Sequence, residues 1–115
     1  MDINSYEQEK AKVMVIDDDD SVLKTTILIL EEEGYQIEAF STGKEAIDKF
    51  NNNIHAVVLD INMPGLTGLQ VFKKIKLKNP YVPIIFHTGT YCQARREKRL
   101  KKAIQATRLC SKRRS

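Results

Sequence analysis

The sequence has no tryptophan, only two cysteines, three prolines and five glycines in 115 residues, and each scarcity excludes something. Cys92 and Cys110 are too few for a disulfide scaffold or for a zinc centre built from cysteine alone. So little proline and glycine excludes collagen and low-complexity chains. A composition that is 42% hydrophobic and 30% charged argues against wholesale disorder. Long apolar runs are also missing. The longest aliphatic one, Ile27-Leu28-Ile29-Leu30, is far short of a membrane span. Met1-Asp2-Ile3-Asn4 lacks the basic start and apolar stretch of a secretory leader. What remains is one soluble domain of ordinary size, expected in the reducing cytoplasm and away from membranes.

The net charge of +4 conceals a division. Residues 1–91 hold nine lysines and arginines against fourteen acids, a balance of −5. Residues 92–115 hold ten basic residues and one acid, Glu97, a balance of +9. An acidic body and a basic C-terminal segment need separate explanations.

The body alternates strand-like and helix-like stretches. Lys12 to Ile16 is a short apolar run stopped by four aspartates, as in a buried parallel strand. From Ser21 to Glu33 the positions Leu23, Ile27 and Leu30 recur at helical spacing, and Gly34 supplies the stop. Tyr35 to Phe40 alternates as a second strand. Thr42-Gly43-Lys44-Glu45 has the spacing of a capping box and opens a helix through Phe50. Ala56 to Leu59 is a third strand ended by Asp60, and Met63-Pro64-Gly65 is a loop. Leu69, Phe72 and Ile75 predict the inner face of the next helix, with Lys73, Lys74, Lys76 and Lys78 on a solvated outer face. Asn79-Pro80 breaks it, and Val82 to Phe86 is a fourth strand. Four strands separated by three helices predict an α/β fold with a parallel sheet, whose sites form at the carboxyl ends of the strands.

Those ends carry Asp17-Asp18-Asp19-Asp20, Asp60 and His87-Thr88. Carboxylates crowded into one crevice repel one another, and a hard divalent cation makes the crowding tolerable. Mg²⁺ suits a few carboxylate and carbonyl oxygens plus water. Acids after a strand also cap the following helix, which is the role expected of Asp19 and Asp20. Either role is open to Asp17 and Asp18, and the isolated Asp60 tips the balance toward a shared metal site. His55 and His87 have no cysteine or histidine partner at ligand spacing and are expected to be structural or surface residues. Asp20 to Glu31 has the length of an EF-hand loop, but Val22 and Lys24 occupy ligand positions and Thr25 replaces the required glycine.

Val15-Ile16-Asp17-Asp18, the run from Val58-Leu59-Asp60 through Asn62-Met63-Pro64-Gly65 to Gly68, and Pro83 through Phe86 to His87-Thr88-Gly89 resemble the receiver domain of bacterial two-component response regulators. The resemblance covers residues 12–90. It implies a flavodoxin-like, doubly wound parallel sheet with strand order 2-1-3-4-5. It implies that Asp60 is the phosphoacceptor, phosphorylated by a sensor histidine kinase, a phosphotransfer protein or a small phosphodonor. Asp17, Asp18 and Asp60 would hold Mg²⁺ with the backbone carbonyl of Asn62, and Thr88 would give its hydroxyl to a phosphoryl oxygen. Such a domain catalyses its own phosphorylation and dephosphorylation but is not a turnover enzyme. Gly68 either allows a close backbone approach beside the acceptor or is an ordinary turn glycine.

The C-terminal part is atypical or truncated against this pattern. Residues 1–11 read as an extension, 12–91 as the receiver core, and 92–115 as a basic segment without a fifth helix. If residues 105–112 are the fifth strand and its entry, Lys112 stands at the phosphate-binding lysine, Leu109 replaces the switch aromatic and Arg113 the usual proline. Alternatively, residues 94–109 form one basic helix, or the reading frame is altered after Tyr91. A basic helix would leave sheet surface uncovered, and a homodimer or segment exchange would be one remedy. Two other functions compete. The basic segment could bind an acidic protein or a nucleic acid, although only Tyr91 at its boundary is aromatic and no binding motif appears, which argues against nucleic acid. A haloacid-dehalogenase-type hydrolase also uses a nucleophilic aspartate with Mg²⁺, but it needs a second Asp where Asn62 stands. Asp17 and Asp19 have that spacing, yet no Thr or Ser follows at the right interval.

Overall fold

Strand β1 (Lys12–Ile16) is followed by α1 (Asp20–Glu32), β2 (Gln36–Phe40), α2 (Gly43–Lys49), β3 (Ala56–Asp60), α3 (Gly68–Lys78) and β4 (Ile84–His87). This computed structural model describes residues 11–61, 63, 65, 67–87 and 102. The strands form one parallel sheet in the order β2-β1-β3-β4, the doubly wound arrangement expected from the sequence. The basic segment, apart from Lys102, lies outside the described residues, and so do the alternatives for it: a fifth strand, a basic helix or a dimer-forming surface. Among the described residues, no helix is long and apolar enough to cross a membrane.

Alternation along the strands sorts the core into two layers. Met14, Ile16, Val57 and Leu59 pack with Phe50, Val71 and Ile75 under α2 and α3. Val13, Val15 and Val58 point to the other face and pack against Ile29, Leu30 and Tyr35 from α1 and its end. Every residue of β3 is buried, which explains why Ala56 to Leu59 reads as a continuous apolar run rather than an alternating one. The same parity carries past the apolar residues. Asp17 continues the Val13–Val15 row, Asp60 the Val58 row and His87 the Ile85 row, so the strand ends turn these three side chains toward one side of the sheet.

Helix ends follow local chemistry. The Asp19 carboxylate caps α1, accepting from the Ser21 and Val22 amides at 3.0 and 3.2 Å, and Asp20 lies in the first turn. At the other end the Gly34 amide donates to the Glu31 carbonyl and the Tyr35 amide to the Leu30 carbonyl, with Gly34 at φ +94°. This is the left-handed stop that glycine makes cheaply. Thr42 caps α2 through the Glu45 amide, as its spacing predicts.

In α3 the sequence-based face is partly wrong. Gly68, Val71 and Ile75 are buried, Phe72 is half-buried, and Leu69 is 60% exposed. The buried stripe is 68-71-75, and its first member is a glycine, which a hydrophobicity pattern overlooks. Nor are all the lysines simply solvated. Lys76 Nζ donates to the Pro80 and Val82 carbonyls at 3.2 and 2.7 Å, and Lys78 Nζ donates to the Ile47 carbonyl. These ammonium groups satisfy carbonyls near the helix C-terminus, where positive charge is favoured.

Candidate acidic site at the strand ends

Asp17 follows β1 directly and Asp60 ends β3, and both are buried, at 1% and 6% exposed. Asp18 is exposed beside them. One carboxylate oxygen from each of Asp17, Asp18 and Asp60 lies within 4.8 Å of the others. The structure thus brings together the three acids singled out in the sequence, and it assigns Asp19 to helix capping instead. Asn62, Thr88 and Lys112 lie outside the described residues.

The crowding has an electrostatic consequence. The Asp17 carboxyl is pushed up from its ordinary 3.8 to about 7, first by burial, then by the charge of Asp60, a hydrogen bond with it and the charge of Asp18. The Asp19 amide donates to Asp17 Oδ1 at 2.9 Å and offsets part of this. A buried carboxyl that resists ionising beside two other acids is the setting in which a cation gains most from binding. The donor set is all oxygen, with two buried ligands and one facing water, and it fits a hard divalent ion that keeps part of its hydration shell.

The chain around Asp60 is clamped. The Ile61 amide donates to the His87 carbonyl at 3.1 Å, tying the end of β3 to β4, and the Gly68 amide donates to the Ile61 carbonyl at 3.1 Å. A Cβ on Gly68 would lie 2.7 Å from both the Asp60 carbonyl oxygen and the Ile61 Cα. The close-approach reading of Gly68 therefore holds, and the first turn of α3 rests directly on the Asp60–Ile61 backbone. A reciprocal capping box secures that turn. Thr67 Oγ1 accepts from the Gln70 amide at 3.3 Å, and Gln70 Oε1 accepts from the Thr67 amide at 2.8 Å. The Thr67-Gly68-Leu69-Gln70 run carries this capping signal in the sequence.

Of the two histidines, His55 is structural, its Nδ1 accepting from the Lys12 amide at 2.9 Å. His87 is different. Its Nε2 lies 3.6 Å from Asp17 Oδ2, so it belongs to the surroundings of the site rather than to an unrelated surface. A search for Cys or His partners could not find it. Strand parity could, because His87 pairs directly with Asp60 across β3 and β4.

The family model for the response regulator receiver domain matches residues 13–112. The chain belongs to that family. Similar curated proteins include the transcriptional regulatory protein CssR of Bacillus subtilis, 35% identical over 74 residues, which are 64% of this chain and 33% of CssR. The response regulator SaeR of Staphylococcus aureus is 33% identical over 77 residues, 67% of this chain and 34% of SaeR. The chain thus matches about a third of the length of these relatives. Among solved structures, a receiver domain protein from Clostridium thermocellum has a TM-score of 0.66 at 31% identity, covering 85% of this chain and 75% of that one. The chemotaxis protein CheY4 of Vibrio cholerae has a TM-score of 0.65 at 27% identity, covering 79% of each chain. The receiver fold expected from the strand-end motifs is the one observed.

Proposed function

We propose that this receiver domain, acting in the cytoplasm, accepts a phosphoryl group on Asp60 from a phosphohistidine on a sensor histidine kinase or phosphotransfer protein, or from a small phosphodonor. The observation that carries this reading is the convergence of buried Asp60 at the end of the central strand with Asp17 and Asp18, within 4.8 Å. In the transfer, an Asp60 carboxylate oxygen attacks phosphorus in line, the bond to the donor's nitrogen or oxygen breaks, and the leaving group departs with the electron pair. Asp60 must be ionised to attack, and the β4 and Gly68 clamps fix the backbone that carries it. Asp17, Asp18 and Asp60 would hold Mg²⁺, which when bound supplies a Lewis acid for the phosphoryl oxygens. In this reading the Asn62 carbonyl completes the oxygen set, and the Thr88 hydroxyl donates to a phosphoryl oxygen. The domain is then a phosphoryl acceptor that turns itself over, not an enzyme acting on a separate substrate.

A related solved receiver, that of DrrB, is described as BeF3-activated; it has a TM-score of 0.64 to this chain at 27% identity and covers 74% of it. Beryllofluoride mimics a phosphoryl group on a carboxylate and is a direct probe here. In ¹⁹F NMR with Mg²⁺ present, protein-bound beryllofluoride resonances are expected for the parent. They should vanish in Asp60→Asn and when Mg²⁺ is withheld. Equal binding by parent and Asp60→Asn would sink the assignment of Asp60.

A further inference from the structure

Asp17 is held from two sides. Its Oδ1 accepts from the Asp19 amide at 2.9 Å, and its Oδ2 lies 3.6 Å from His87 Nε2, with the two side chains only 2% and 10% exposed. The backbone that carries His87 is held in place, because it pairs with Asp60 in the sheet and its carbonyl accepts from the Ile61 amide. The close acidic group comprises Asp17, Asp18 and Asp60, and the imidazole does not join it as a fourth donor. It stands beside Asp17 instead, at Oδ2.

We propose that His87 is a positioning residue for the acidic centre, holding the Asp17 carboxylate turned toward the divalent cation it shares with Asp18 and Asp60. The proposal rests on the metal-binding reading above. A carboxylate packed beside two others is repelled by both and has two side-chain torsions through which to swing away. An imidazole N–H at its Oδ2 opposes that swing, as outer-layer partners of metal-binding carboxylates commonly do. A separation of 3.6 Å is an electrostatic contact, longer than a full hydrogen bond. It therefore biases the orientation of Asp17 without tying up the oxygen, and each carboxylate oxygen has a second lone pair for a cation. No residue type other than a donor does this at position 87: an apolar strand residue there would fill the space but leave Asp17 unsupported on that side.

The test is Mg²⁺ binding by isothermal titration to the parent, His87→Val and His87→Gln, with urea unfolding of each metal-free protein alongside. His87→Val is expected to weaken Mg²⁺ affinity about tenfold, the low end for loss of an outer-layer partner, and His87→Gln, which keeps a donor, to stay within about threefold. If His87→Val does not fold, His87→Phe replaces it as the variant that fills the volume without a donor. Parent-like binding by both variants overturns the proposal. So does an equal loss in both, which would mean that the imidazole acts through its shape. A parent that binds no Mg²⁺ removes the metal-binding reading as well, and that outcome is distinct from the other two.

Discussion

Gly68→Ala is expected to destabilise the domain by about 3 kcal/mol, the upper part of the range for overpacking a well-packed site. The direction is opposite to the usual one, since alanine in an open helical position is favoured over glycine by about 1 kcal/mol. Space decides the sign. The added methyl group would sit 2.7 Å from the Asp60 carbonyl oxygen and the Ile61 Cα, and 3.0 Å from the Ile61 carbonyl oxygen. All three are backbone atoms at the end of the central strand, so no flexible side chain can swing aside. Either α3 lifts from the sheet, uncovering Val71 and Ile75, or the Asp60–Ile61 segment shifts and carries Asp60 with it. Urea unfolding measures the first consequence, and a parallel loss of Mg²⁺ affinity reports the second. A neutral or stabilising outcome would mean that the first turn of α3 does not rest on the strand end.

The second large effect is a dependence of metal-free stability on pH. The Asp17 carboxyl titrates near 7 in the folded protein and at its ordinary 3.8 when unfolded. Between those values the folded state binds more protons than the unfolded state, so stability falls as pH rises. The contribution is fully present below about 4 and gone once pH has passed about 7. At 1.36 kcal/mol per pKa unit the change in stability is about 2–4 kcal/mol. Asp17→Asn mimics the protonated acid and removes the slope. That variant should match the parent near pH 4 and exceed it by about 2–4 kcal/mol near pH 8. Urea midpoints across that range check the crossing, and reading the difference between the two proteins cancels other carboxylates such as Glu38, paired with Lys12 at 3.2 Å. Saturating Mg²⁺ should stabilise the parent most at high pH, because it binds the deprotonated site. Parallel curves for parent and Asp17→Asn would contradict the electrostatic account of the site.

Most of the architecture was legible because two periodicities dominate it. The abrupt endings of Val13–Ile16 and Ala56–Leu59 in aspartate mark both the strand ends and the acids that converge there. The abutting of Gly68 on the Asp60 backbone was not legible, because spacing alone cannot separate a turn glycine from one under steric pressure. Leu69 misled for the same reason: the stripe it was assigned to begins one residue earlier, at a glycine. Lys76 and Lys78 look like solvent-facing charges in any helical pattern, and only the fold shows which carbonyls they reach. His87 was missed because ligand-spacing rules look along the chain, whereas its neighbour Asp17 comes from two strands away in the sheet. Asn62, Thr88 and Lys112 rest on the resemblance alone, because all three lie outside the described residues.

The central claim is that Asp60 is a metal-dependent phosphoryl acceptor, and the most direct test is intact mass after incubation with acetyl phosphate. The account predicts one added phosphoryl group on the parent with Mg²⁺, none with excess chelator and none on Asp60→Asn. The same adduct on Asp60→Asn, or no adduct on the parent under conditions that label another receiver domain, would contradict it.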